Sequence, residues 1–254
     1  MGTFAGAFTA MITPFRNDAV DERALRDLVE DQIAKGIDGL VPCGTTGESA
    51  GLSHAEYVKV VSVTVEQAKR RVPVMAGAGS ASTRHAIELA QLAKKAGVDG
   101  LLVVAPYYVR PSQDGLYAHF AAVAAAVDLP IALYNIPIRC GVDVSLQTLE
   151  RLADVPSIVA IKEASGNVIR SADIAAKLGD RFTILSGDDG LTLPILSVGG
   201  QGVISVASNL LPGEVARVVH LFRDGDLAGA RALSQRLRPL YEALFIEPNP
   251  GPIK

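Results

Sequence analysis

IVAIKEASG, residues 158–166, is the stretch whose reading decides the fold. Residues 158–161 are apolar and run directly into Lys162 and Glu163, with Pro156 before the run and Gly166 closing it. A short apolar run bounded in this way predicts a parallel strand covered on both faces and ending in a charged group. An ammonium at a strand tip inside an α/β protein loses hydration. Its pKa falls, and its neutral amine becomes able to attack a carbonyl. The same spacing also accommodates a lysine that snorkels to solvent or pairs with Glu163. These residues alone leave both readings open.

The unit recurs on either side. Further apolar runs lie at residues 6–13, 39–42, 72–76, 100–105, 130–134, 182–185 and 202–206. Each is followed by a polar or glycine-containing loop and a stretch of helical periodicity. In residues 21–35 the periodicity runs through Leu25, Leu28, Val29, Gln32 and Ile33, and from Ser53 a helix opens with Glu56 in capping-box spacing. Further helices are expected over residues 82–96, 113–126, 145–153, 168–177, 191–198 and 212–222. Eight strand-helix units in series predict right-handed crossovers and an α/β chain folded as a closed (β/α)8 TIM barrel. A dinucleotide fold needs GxGxxG opening the first helix; GAGSA at residues 77–81 is partial and late. Beyond residue 222 the pattern changes. Residues 226–245 read as a helix with no strand before it, packed outside the barrel, and residues 247–254 (EPNPGPIK) form a proline-rich segment that would hand over to another element. The expected division is a catalytic barrel over residues 1–224 and a short, apparently truncated C-terminal helical extension over residues 225–254.

Composition removes several classes of function. Twenty-four basic against 27 acidic residues, a formal charge of -3, offer no basic face for a nucleic-acid backbone. No apolar stretch is long enough to span a bilayer, and no basic segment followed by an apolar one suggests a signal peptide. Cys43 and Cys140 are too few for a disulfide framework and suit a reducing cytoplasm. The four histidines show no metal-ligand spacing, so no metal is expected.

A barrel of this kind carries its chemistry at the C-terminal ends of its strands. Thr45, Thr46, Glu48, Tyr107, Tyr108, Tyr134, Arg139 and Lys162 fall there. The Gly44–Gly47 turn supplies backbone N–H groups and short hydroxyl donors that can hold a carboxylate, or it is an ordinary tight turn. Tyr134 can pass protons beside Lys162, or it is a rim tyrosine. Arg139 has the rigid fork of donors that suits a carboxylate, or it is a solvated loop arginine.

Six motifs in order carry a resemblance that spans the whole chain. They are Gly44-Thr45-Thr46-Gly47-Glu48, Tyr107-Tyr108 with Pro111-Ser112-Gln113, Tyr134-Asn135-Ile136-Pro137, Ile161-Lys162-Glu163-Ala164, Ser186-Gly187-Asp188-Asp189 and Gly202-Val203-Ile204-Ser205. The chain resembles the dihydrodipicolinate synthase and N-acetylneuraminate lyase family of class I, pyruvate-dependent aldolases, and its dihydrodipicolinate synthase branch most. The resemblance implies that Lys162 forms a Schiff base with pyruvate and that Thr45, Tyr134 and Tyr108 relay protons. Tyr108 would come from the neighbouring subunit of a homodimer, within a tetramer where the family's usual assembly holds. Thr46 would hold the carboxylate of pyruvate and Arg139 that of L-aspartate 4-semialdehyde, with Gly187 and Ile204 supplying backbone and shape. Glu48 would order its loop. No metal or organic cofactor is implied, because the lysine itself supplies the electrophilic activation.

The chain departs from the family pattern in two places. The pocket through which lysine inhibits some relatives keeps Ser49, Ala50, His54 and Tyr107, but has Ala81 and His85 where an asparagine and a glutamate would hold the effector. Lysine inhibition is therefore expected to be weak or absent. The family also continues with further helices after a segment like residues 247–254. Two other functions fit the same barrel: a related aldolase or lyase acting on another 2-oxo acid, and a non-enzymatic sensor. The second predicts loss of Lys162 or of the hydroxyl relay, and neither is lost.

Overall fold

Strand pairing follows chain order around a closed ring. The computed structural model describes residues 4–254. Its barrel strands are β1 (Gly6–Ala10), β2 (Gly39–Val41), β3 (Met75–Gly77), β4 (Gly100–Val104), β5 (Ile131–Asn135), β6 (Ile158–Glu163), β7 (Thr183–Ser186) and β8 (Gly202–Ser205). All pair in parallel, β1 lies between β2 and β8, and the circuit closes at a bridge between Leu40 and Val74. Two backbone bonds reinforce that closure, Leu40 N–H to Pro73 O (3.0 Å) and Gly77 N–H to Pro42 O (2.9 Å). The strands are buried along almost their whole length, which is why they read as continuous apolar runs rather than as alternating ones.

Helices α1 (Glu22–Ala34), α2 (His54–Ala68), α3 (Thr83–Ala96), α4 (Gln113–Ala126), α5 (Leu146–Leu152), α6 (Val168–Leu178), α7 (Thr192–Ser197) and α8 (Pro212–Arg223) follow the strands in turn. Most start where a side chain satisfies an otherwise unpaired N–H: Asp21, Ser53, Ser82, Ser112, Ser145 and Asn167 each accept from the first turn of α1 to α6. Such a cap stabilises its helix by about 1 kcal/mol. The capping box expected at Ser53 is complete, with Glu56 accepting from the Ser53 N–H. Helix α8 has no side-chain cap and places Pro212 in its first turn, where a missing N–H does no harm.

The seam between first and last strands is unusually close. A Cβ built on Gly202 would lie 1.9 Å from the Gly6 carbonyl oxygen, so any larger residue there would force β1 and β8 apart. A two-residue hairpin between Phe15–Arg16 and Ala19–Val20 was not anticipated from sequence. Its Asn17 and Asp18 take left-handed backbone (φ 50° and 60°), as a type I′ turn requires.

Helix α9 (Leu227–Ala243), capped by Asp226, lies outside the barrel as expected. Its Leu233, Leu237 and Tyr241, with Leu244 beyond it, join the same apolar core as the barrel, and Arg236 pairs with Glu214 on α8 at 2.7 Å. The proline-rich residues that follow fold back over the strand ends. Lys254 pairs with Glu48 and stands 4.6 Å above the Phe15 ring, and Ile253 is buried. No helix among the described residues is long and apolar enough to cross a membrane.

Candidate active site

Register puts the two central groups together. Tyr134 on β5 is paired with Lys162 on β6, so their side chains leave the sheet on one face, and the Lys162 Nζ stands 4.2 Å from the Tyr134 ring centroid. Lys162 is 5% exposed and belongs to no ion pair among the described residues. Burial pushes its pKa down from 10.5 to about 8; Asp189 opposes that shift and Arg139 adds to it. At neutral pH roughly a tenth of the amine is therefore unprotonated, against fewer than about one part in a thousand for an ordinary lysine.

Both alternative readings of Lys162 fail in the structure. It does not reach solvent, and Glu163 points to the opposite face of the strand. There Glu163 accepts from Arg170 Nε (2.9 Å), the Ser165 N–H (2.8 Å) and Asn135 Nδ2 (3.1 Å). Burial likewise pushes the Tyr134 phenol up to about 12, with the Thr45 hydroxyl and the Arg139 charge partly opposing. Tyr134 thus remains a proton-carrying phenol over the physiological range.

Thr45 and Thr46 enter from the turn after β2, where Cys43 and Glu48 both hold left-handed backbone (φ 56°). Thr45 lines a cavity of about 430 Å³ together with Tyr107, Tyr134, Arg139 and Asn249. Gly187, Ala164, Asp188, Arg139 and Asn249 line a second cavity of about 620 Å³. Ile136, Arg139 and Asn249 are common to both and form the wall between them. Arg139 Nη2 donates to the Asn249 carbonyl (2.9 Å), and Asn249 Nδ2 donates to Thr46 Oγ1 (3.0 Å). Thr46 is 2% exposed, so its hydroxyl is held within the fold.

Gly187 makes room for the lysine. A Cβ there would fall 2.6 Å from the Ala164 Cβ and 3.0 Å from the Lys162 Cε. Ile204 is fully buried on β8 opposite Phe8 and lines neither cavity. Tyr108 is not brought to the site within its own chain. It is 91% exposed and carries a left-handed backbone (φ 70°).

Two residues escaped the sequence reading. Asn249, buried in the proline-rich segment, ties Thr46 to Arg139 while its Oδ1 has no hydrogen-bond partner among the described residues. Pro-Asn-Pro-Gly signals only a turn, and no local pattern shows that it folds across the barrel mouth. Asp189, also buried, accepts from Ser205 Oγ and from the Val206 and Ala207 N–H groups (3.0 Å each), which locks the loop after β7 to the end of β8. Burial raises its pKa above the usual carboxylate value. A doubled Asp188-Asp189 after a strand was the available signal. Asp189 and Glu163 thus both use their carboxylates in protein hydrogen bonds that order the strand ends. Cys43 and Cys140, both buried free thiols, have their pKa pushed up by burial, Cys140 to about 11.

Comparison with known proteins accords with this arrangement. Residues 3–254 match the dihydrodipicolinate synthetase family. The chain is 53% identical over 252 residues to the 4-hydroxy-tetrahydrodipicolinate synthase of Nitratidesulfovibrio vulgaris (strain DP4), covering 99% of this chain and 86% of that one. It is 53% identical over 251 residues to the enzyme of the same name from Syntrophus aciditrophicus (strain SB), with the same coverage. The solved structure of 4-hydroxy-tetrahydrodipicolinate synthase from Methylacidiphilum fumariolicum SolV superposes with a TM-score of 0.98 at 52% identity, over 99% of this chain and 84% of that chain.

Proposed function

Because the chain belongs to the dihydrodipicolinate synthetase family, we propose that Lys162 is the residue on which it builds its Schiff base. The chain is a class I, pyruvate-dependent lyase of diaminopimelate and lysine biosynthesis, condensing pyruvate with L-aspartate 4-semialdehyde. The observation that carries the assignment of Lys162 is its burial, in no ion pair among the described residues, against the Tyr134 ring, a setting that pushes its pKa down to about 8.

The residues then act in sequence. The neutral Lys162 amine attacks the ketone carbon of pyruvate, whose carboxylate is held at Thr46 and the N–H groups of its turn. Tyr134, with Thr45 beside it, donates the proton with which the carbinolamine hydroxyl leaves as water. The resulting iminium withdraws electrons from the adjacent methyl carbon, which loses a proton to give an enamine. That carbon attacks the aldehyde, forming the new carbon–carbon bond and a hydroxyl. The amino group of the second substrate finally adds to the iminium carbon and displaces Lys162, which returns as the free amine.

Arg139 receives the carboxylate of the semialdehyde. Only Nη2 is engaged with Asn249, which leaves its other N–H groups available for a bidentate contact. Gly187 keeps the space beside Lys162 open, while Ile204, outside both cavities, contributes packing from β8. We assign Tyr108 to the site of a second copy, as the third member of the relay, in a homodimer or a larger assembly. A bulky residue at φ 70° with 91% of its surface exposed is a costly arrangement for an isolated chain and suits one that is covered by a partner. We place catalysis within residues 1–224, with residues 225–254 as an extension that reaches back over the mouth.

Borohydride reduction in the presence of pyruvate, followed by peptide mapping, tests the assignment. The expected adduct is on Lys162, and Lys162→Ala gives none. An adduct on any other lysine, or trapping that survives Lys162→Ala, overturns it.

A further inference from the structure

Folding brings together three side chains that the reaction does not use. His54 opens α2, and His85 and Glu88 stand three residues apart on one face at the start of α3. His54 Nε2 lies 3.4 Å from His85 Nδ1, and His85 Nδ1 lies 3.3 Å from Glu88 Oε2. The three potential ligand atoms all fall within 4.8 Å of one another. The two imidazole rings are nearly parallel, 14° apart, with centroids separated by 5.1 Å.

These separations suit one small divalent cation. Metal–nitrogen and metal–oxygen bonds of about 2.0–2.2 Å arranged tetrahedrally place neighbouring ligand atoms about 3.3–3.5 Å apart. Two of the three edges already have that length, and both histidines are on the surface, where small χ rotations close the third. Two imidazoles and one carboxylate select a borderline transition metal over magnesium or calcium, which take oxygen ligands. Neither histidine anchors the core: His54 is exposed and His85 half-buried.

We propose that His54, His85 and Glu88 form a site for Zn²⁺ or a similar transition-metal ion, with solvent completing the coordination. The sequence reading expected no metal because the ligands come from two helices and share no motif spacing. The site also adjoins the catalytic loop. His54 lies three residues beyond the turn Ser49–Gly51, whose residues line the same cavity as Thr45. A bound ion would restrain the far end of the loop that positions Thr45 and Thr46.

The proposal does not depend on the catalytic reading, and its test is a binding measurement. Tag-free, chelator-treated protein, in its native oligomeric state, is titrated calorimetrically with ZnCl2 and, separately, followed by visible absorption with CoCl2. The expected result is one equivalent per chain and a Co²⁺ band displaced by Zn²⁺ but not by Mg²⁺. His85→Ala and Glu88→Gln should each weaken Zn²⁺ binding at least tenfold, and circular dichroism should confirm that both variants are folded. His220→Gln, in the remote pair with Asp38, serves as the control and should bind as the wild type does. The proposal is overturned if no saturable binding occurs below millimolar Zn²⁺, or if either His85→Ala or Glu88→Gln, shown to be folded, binds as tightly as the wild type.

Discussion

Replacing Lys162 by methionine should abolish turnover and stabilise the fold. The lysine is 5% exposed with its pKa moved from 10.5 to about 8. At about 1.4 kcal/mol per unit, holding the charged form inside costs about 3 kcal/mol. The sign follows from proton counts. Between pH 8 and 10.5 the unfolded chain keeps the lysine proton and the native state does not, so this contribution raises stability as pH increases through that window. Below pH 8 both states are charged, and the native state bears the whole penalty. Methionine has similar length, no charge and nothing to titrate, and Asp189 keeps its bonds to Ser205, Val206 and Ala207. Lys162→Met should therefore be more stable than the wild type at pH 7 by about 3 kcal/mol, or roughly 6–12 °C in Tm for a chain of this size. The difference should shrink as pH rises from 8 towards 10.5. Thermal unfolding of both proteins across pH 6–10.5 measures it. A less stable variant at pH 7, or a difference that does not change with pH, would show that the amine is not held desolvated and would refute the reasoning.

Other outcomes follow from neighbouring contacts. Gly187→Ala forces a methyl to within 2.6 Å of the Ala164 Cβ and against the Lys162 Cε; displacement of the amine by a fraction of an ångström should lower kcat by about 10²-fold, with about 1–3 kcal/mol lost in denaturant unfolding. Asn249→Ala removes the donor to Thr46; steady-state kinetics should show KM for pyruvate rising several-fold, with Asn249→Gln recovering less than half of the loss because its amide is displaced by a methylene. The pH profile of kcat/KM for pyruvate should rise to a plateau with an inflection near pH 8, and Asp189→Asn, which removes the charge opposing the Lys162 shift, should move that inflection to lower pH. Activity should persist at sub-millimolar lysine, because Ala81 and His85 supply no anion for the effector's ammonium group; a clear loss of turnover at that concentration would refute the expectation.

The sequence made the barrel legible because strands buried on both faces are written as unbroken apolar runs, and even the three-residue strands Gly39–Val41 and Met75–Gly77 announced themselves through the loops and helices around them. The positions of Lys162, Tyr134 and Thr45 were legible for a related reason: each lies at or shortly beyond the C-terminal end of such a run, although their roles came only from the resemblance. The fate of Glu163 could have been read from alternation alone, since adjacent residues of a strand face opposite ways; its partner Arg170, on the following helix, could not. Asn249 was illegible. Nothing in Pro-Asn-Pro-Gly encodes a contact with Thr46, which depends on where α9 delivers the chain. The convergence of His54 with His85 likewise depends on the packing of two helices that each look like an ordinary surface element.

The bond between Asn249 and Thr46 joins residues 203 positions apart, and the Ile12 amide bond to Asn209 joins residues 197 apart. Closing loops of that length costs chain entropy, and the cost grows only logarithmically with length, so the last residues can serve the strand ends of the barrel at almost the same cost as nearer ones. The wall beside Arg139 is thus built from opposite ends of the chain, and it stands only where residues 225–254 have folded back over the barrel.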